Sequence, residues 1–233
     1  MSHGSNTPQW SDRRSDIWLA ALTGAASLAA AALWLSGSTA FAPYLGPLPP
    51  PAATLICGAA GFAGLTWLRR AGWLPDKARG IDRATIALLA CGFAALTIAM
   101  DLAAPYPRDI NVPLPAALLF YPAIGFVVEI TFHLVPLALL LALVSAVGMA
   151  PRVALPAALL LTAALEPAFQ VVAGFGAGPL WRDLALALHL FAFGLVQLTL
   201  LRRNGFAAML AFRLVYYLIW HVLWGTVRLG VLF

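Results

Sequence analysis

The sequence predicts an all-α, polytopic transmembrane bundle of about seven spans, and three observations carry that prediction. The 233 residues are 62% hydrophobic and only 10% charged, with a mean hydropathy of +0.89, whereas soluble domains carry about 25% charged residues. The apolar residues fall into runs of about 20, the length a helix needs to cross a bilayer. Proline, glycine and basic residues separate the runs, and lipid tolerates only spans that satisfy their own backbone groups. The net charge of +5 and pI near 9.8 do not point to nucleic acid, because the basic residues sit at the ends of apolar runs and form no stripe with aromatics. Cys57 and Cys91 lie inside apolar runs without a CxxC pair, so no disulfide framework or thiolate metal site is expected.

Residues 1–15 are polar and Ser-rich and read as a disordered cytoplasmic tail; residues 16–233 read as one membrane-embedded domain. The first span covers Ile17 to Leu35, capped by Ser15 or Asp16, with Trp10 and Trp18 near the interface. The linker from Ser36 to Pro51 holds five prolines and no charge, which excludes a continuing helix. A second span runs from Ala52 to Leu68, and the 69–83 loop after it carries five basic and two acidic residues, the strongest cytoplasmic marker in the chain. The third span covers Ala84 to Ala104, with Asp101 at its end, and 105–115 makes the return. The fourth apolar run, Pro115 to Val147, is longer than one straight span needs. Its helix is expected to start near Tyr121-Pro122, with 113–120 as an interfacial or re-entrant lead-in; an eighth span is the alternative. The fifth span covers Val153 to Ala173, the sixth Leu180 to Leu201 after a Gly-rich turn, and the seventh Phe206 to Arg228 after Arg202-Arg203-Asn204-Gly205. Seven spans with a cytoplasmic N-terminus satisfy the positive-inside rule.

Ionisable residues interrupt four of these runs. The chain has only two glutamates, Glu129 and Glu166, and both lie in apolar segments, as do His133, His189 and His221. A charge at membrane depth costs about 2.5–3.5 kcal/mol on insertion scales, so such residues usually mark function. Glu129 and His133 share a helix face at i,i+4, Glu166 and Gln170 repeat that spacing, and His189 pairs with Gln197 at i,i+8. Arg213, Tyr217 and His221 form a stripe on the last span, flanked by Trp220 and Trp224. Under the expected boundaries Glu129, Glu166, His189 and His221 lie roughly 10–14 Å below one face, with His133 a turn deeper. Pro136 withholds an N–H from the carbonyl of Phe132, and Pro167 follows Glu166, so both helices should be disturbed at the site.

Two carboxylates and three imidazoles at one depth suit activation of water. They act either as ligands of a divalent ion such as zinc (His133, Glu166, His189 and His221) or through a desolvated glutamate as general base. The candidate catalytic residues are Glu129, His133, Glu166 and His221. Arg213, with Tyr217 beside it, would hold an anionic substrate group or a developing oxyanion. The simpler reading of Arg213 is a side chain that snorkels to the nearer interface, and polar pairs such as Glu129/His133 also glue helices together.

Residues 115–228 resemble the CPBP (Abi) family of intramembrane CAAX-type proteases and bacteriocin-processing proteins. The family opens with a double glutamate, an aromatic and an arginine; Val128-Glu129-Ile130-Thr131-Phe132-His133 keeps the second glutamate and the aromatic, with Val128 and His133 in the other places. Phe193 to Val196, running into Arg202-Arg203-Asn204-Gly205, is similar to a later helix and its Arg-Thr-Gly-Ser turn. The closing His-xxx-Asn has a counterpart in His221-Val222-Leu223-Trp224-Gly225, with glycine for asparagine, and the Phe-xxx-His motif has none near Phe169. The resemblance implies peptide-bond hydrolysis with Glu129 as base and His221 in support, on a membrane-bound peptide or lipidated substrate, in a bacterial or archaeal cell membrane. A proton- or metal-coupled transporter and a structural, partner-binding membrane protein are the other readings; membrane lipid is a partner under all three, and nucleic acid under none.

Overall fold

The structure, a computed structural model, describes the backbone of residues 10–75, 79–172 and 179–233, and side chains from Asp16 onward except 171 and 172. Every element among the described residues is helical, and seven helices are long and apolar enough to span a membrane. They are α1 (Trp10–Leu35), α3 (Pro50–Arg70), α4 (Arg83–Ala103), α5 (Ala117–Ala146), α6 (Pro151–Val172), α7 (Leu180–Asn204) and α8 (Phe206–Val231); α2 (Ala42–Leu45) is a single turn in the first linker. The chain is therefore an integral multi-pass membrane protein.

Several boundaries differ from the sequence expectation, each for a local reason. Residues 10–15, expected in the disordered tail, form the first turns of α1; residues 1–9 lie outside the described set. Helix α3 begins two residues early because Pro50 and Pro51 fit a first turn, where no N–H is needed. Helix α5 begins at Ala117, not Tyr121, and crosses as one element, so the 113–120 lead-in is no re-entrant segment and no eighth span exists among the described residues. Its first turn is held by Ala117 N donating to Pro113 O at 3.0 Å and Phe120 N to Ala116 O at 2.9 Å. Most of the Gly-rich turn before α7 lies outside the described residues.

Helix α5 is central, packed against α1, α3, α6 and α8, while α7 closes the bundle between α6 and α8 and also touches α4. At one end Arg69, Arg70, Arg79, Arg83, Arg152, Arg202 and Arg203 collect. There Gly205, at φ +88°, supplies the left-handed residue that the α7–α8 turn requires. The turn is tied down by Arg79 N donating to Arg203 O at 2.6 Å and Asn204 Nδ2 to Arg79 O at 2.9 Å.

At the opposite end Asp101 and Arg228 are both fully buried and form a bidentate pair, 2.8 Å on each arm. Trp224 Nε1 and Tyr106 N also donate to Asp101, at 2.6 and 2.9 Å. Arg228 reaches the carbonyls of Tyr106 and Pro107 at 2.8 and 3.0 Å, and Arg182 those of Ala104 and Pro105 at 3.1 and 2.9 Å. Two buried arginines thus bind the 104–107 loop to the helix ends, where its carbonyls have no helical partner.

Both central helices leave α geometry midway. Glu129–Leu134 in α5 and Leu218–Trp224 in α8 are π-helical. In α5 the cause is in the sequence: Pro136 cannot donate to Phe132, and Val135 N instead reaches back five residues to Ile130 O. Such segments recur at functional sites because they re-aim side chains inside an otherwise rigid helix.

A buried two-acid, one-arginine cluster as candidate functional site

Four helices deliver side chains to one point. Glu129 and His133 come from the π segment of α5, Glu166 from α6, Gln197 from α7, and Arg213 and Tyr217 from α8. Glu129 and His133 are 0% exposed, Arg213 1% and Glu166 6%.

Arg213 organises the cluster. Its Nε donates to Glu129 Oε1 at 2.5 Å. Nη1 donates to Glu166 Oε1 at 3.0 Å and to the Tyr217 hydroxyl at 2.9 Å, and Nη2 to Glu166 Oε2 at 2.7 Å and Gln197 Oε1 at 2.9 Å. These contacts use all five guanidinium protons. Snorkelling is therefore excluded, and the guanidinium expected to hold a substrate anion is engaged by Glu129, Glu166, Gln197 and Tyr217. Tyr217 keeps its own hydroxyl proton to donate. The face of Phe193 lies 5.3 Å from the guanidinium carbon, adding a cation–π contact.

Glu129 is held asymmetrically. Arg213 Nε and Gln197 Nε2 both donate to Oε1, while Oε2 is buried without a hydrogen-bond partner among the described residues. His133 lies beside that open oxygen, its Nδ1 3.3 Å from Glu129 Oε2 and its Nε2 3.8 Å from Glu166 Oε2. These separations are within ion-pair reach, and neither ring nitrogen has a side-chain hydrogen-bond partner among the described residues. Two acids against one guanidinium leave one surplus negative charge, and a buried charge must be matched. His133, 3.3 Å from one carboxylate and 3.8 Å from the other, is the group placed to take up a balancing proton.

The other two histidines stand apart. His189 Nε2 is 3.1 Å from Thr97 Oγ1, which is 3.0 Å from the Tyr216 hydroxyl, within a wall of Phe93 and Phe193. His221 Nδ1 is 2.6 Å from Asn111 Oδ1, and its ring stacks on Tyr121 at 4.5 Å. Both lie about 12 Å nearer the Asp101 end than Gln197 and Arg213 on their own helices. The single depth expected for Glu129, Glu166, His189 and His221 thus splits into two layers; for Glu129 the reason is that α5 starts a turn early and carries it deeper, to the level where Glu166 meets Arg213. Of the four expected metal ligands only His133 and Glu166 meet, and no three His, Cys, Asp or Glu side chains among the described residues are grouped to hold an ion. The four expected ligands therefore do not converge on one ion among the described residues.

Sequence reasoning left Gln197 out of the cluster and did not foresee Asn111 as the partner of His221. Gln197 was visible as a polar residue at helical spacing from His189, whereas Asn111 lies in a loop without periodicity. Gly225 makes room for it: a β-carbon there would meet Asn111 Nδ2 at 2.9 Å. No family model, curated protein or solved structure matches the chain.

Proposed function

We propose that the protein is an intramembrane hydrolase of the CPBP type, acting on a membrane-bound peptide or lipidated substrate. The observation that carries the reading is the asymmetry at Glu129. One carboxylate oxygen is fixed by two donors, and the other faces an imidazole with no competing hydrogen bond among the described residues. A general base needs this arrangement, with one oxygen setting the orientation and the other open to the proton it will take.

In this mechanism Glu129 Oε2 takes a proton from water as the oxygen attacks the scissile carbonyl. His133, between Glu129 and Glu166, passes that proton toward the leaving amine. Arg213 keeps both carboxylates in place and limits their repulsion, and the Tyr217 hydroxyl is the nearest free donor for charge developing on the carbonyl oxygen. One departure from the family's motifs has a spatial counterpart that supports the reading: Arg213 brings an arginine to Glu129 from another helix.

The test is purified protein in liposomes with a fluorescence-quenched peptide carrying an apolar spanning segment, plain and prenylated. Glu129→Gln is expected to lower cleavage at least about 100-fold with unchanged thermal stability. Wild-type-like cleavage by that variant removes Glu129 from the chemistry. The buried cluster, with two acids to one guanidinium, also favours a second reading, proton-coupled transport; proton flux in these liposomes without cleavage would select it.

A further inference from the structure

We propose that Gly194 is the positioning residue of His133: the bare Cα of α7 forms the wall that holds the imidazole between the two glutamates. A β-carbon on Gly194 would lie 3.3 Å from His133 Nε2, 3.3 Å from Ala163 Cα and 3.4 Å from Ala163 O. Two of these three neighbours belong to the α6 backbone and cannot yield, so an added methyl is relieved by moving either the imidazole or α7 itself. The imidazole is the softer part. It is fully buried and neither ring nitrogen has a side-chain hydrogen-bond partner among the described residues, so packing is what chiefly keeps it 3.3 Å from Glu129 Oε2 and 3.8 Å from Glu166 Oε2. Moving α7 would disturb the same chemistry by another route, because Gln197, at i+3 on the same face, bonds both Glu129 and Arg213.

Gly61 provides the contrast. A β-carbon there would meet Ile130 Cδ1 at 3.0 Å and Cγ1 at 3.3 Å and Leu134 Cδ2 at 3.5 Å. These contacts fall on the same π segment of α5 but only on flexible apolar side chains.

The proposal rests on the hydrolase reading for its kinetic arm and stands without it for its stability arm. Gly194→Ala is expected to lower kcat on the quenched peptide at least tenfold with KM within twofold, while Gly61→Ala leaves kcat within twofold. In a thermal double-mutant cycle, Gly194→Ala costs at least about 3 °C less Tm in the His133→Ala background than in wild type. Equal Tm losses in both backgrounds overturn the proposal, as does wild-type kcat in Gly194→Ala alongside an inactive Glu129→Gln. If wild type cleaves nothing, the hydrolase reading falls and the Tm cycle alone decides. If Gly194→Ala does not fold, recovery of folding in the Gly194→Ala/His133→Ala double variant supports the wall, and failure of both overturns it.

Discussion

Replacing Arg213 by methionine removes the one cation that two fully buried carboxylates share. Breaking a buried pair by deleting one partner costs about 3–5 kcal/mol, because the remaining charge is left uncompensated. Here the deletion strands Glu129 and Glu166 together and also removes donors from Gln197 and Tyr217. The cost should therefore reach about 5 kcal/mol, at the lower edge of the roughly 5–15 kcal/mol that whole domains possess. Arg213→Lys keeps the charge but offers three protons where five are used; losing two charge-assisted bonds at about 1.5–3 kcal/mol each gives about 3–6 kcal/mol. Adding Glu129→Gln and Glu166→Gln to Arg213→Met removes the stranded charges and should recover most of the loss. Unfolding in detergent micelles, followed by tryptophan fluorescence, reads all three. An Arg213→Met protein within about 1 kcal/mol of wild type, or a triple variant no more stable than the single, refutes the idea that the arginine neutralises this cluster.

Other perturbations report on other parts of the account. Pro136→Ala restores an N–H to the Phe132 carbonyl and should tighten the π segment into an α turn; cleavage then falls at least about tenfold while Tm holds or rises, and unchanged cleavage would separate that segment from function. Asp101→Ala leaves Arg228 buried and unpaired, at about 3–5 kcal/mol, and speeds hydrogen exchange in residues 104–112; an unchanged exchange pattern contradicts the clasp. Burial pushes the Tyr106 phenol up to about 12, so the folded chain keeps a proton that the unfolded chain releases near about 10. The corresponding stability is whole below about pH 10 and disappears as pH rises to about 12, and Tyr106→Phe should flatten that part of the alkaline unfolding curve. Cleavage should also continue after dialysis against EDTA; loss that zinc restores would mean that a ligand set forms on substrate binding.

The spans were legible because each is a run of apolar residues bounded by proline, glycine or arginine, signals that act locally. The start of α5 was not, since Tyr121-Pro122 imitates a helix beginning while the chain had already turned at Ala117. Glu129, His133 and Glu166 stood out in an oily sequence, and the structure brings them together. His189 and His221 stood out equally, yet Thr97 and Asn111 satisfy them elsewhere. Periodicity reports which face of a helix is polar but not which neighbour it meets or at what depth, and a four-residue error at one helix end moves a side chain a full turn. Asp101 and Arg228 carried a readable signal, opposite charges near helix ends at the same end of the bundle, although nothing in their spacing announced full burial. The bulge in α8 has no proline to betray it.

Activation of water by Glu129 inside the bundle is read from cleavage of the quenched spanning peptide in H2(18)O with mass analysis of the product. Wild type should place one heavy oxygen in the newly formed carboxyl group, and Glu129→Gln should give at least about 100-fold less product. A cleaved product without the heavy oxygen, or labelled product from Glu129→Gln at the wild-type rate, would contradict it.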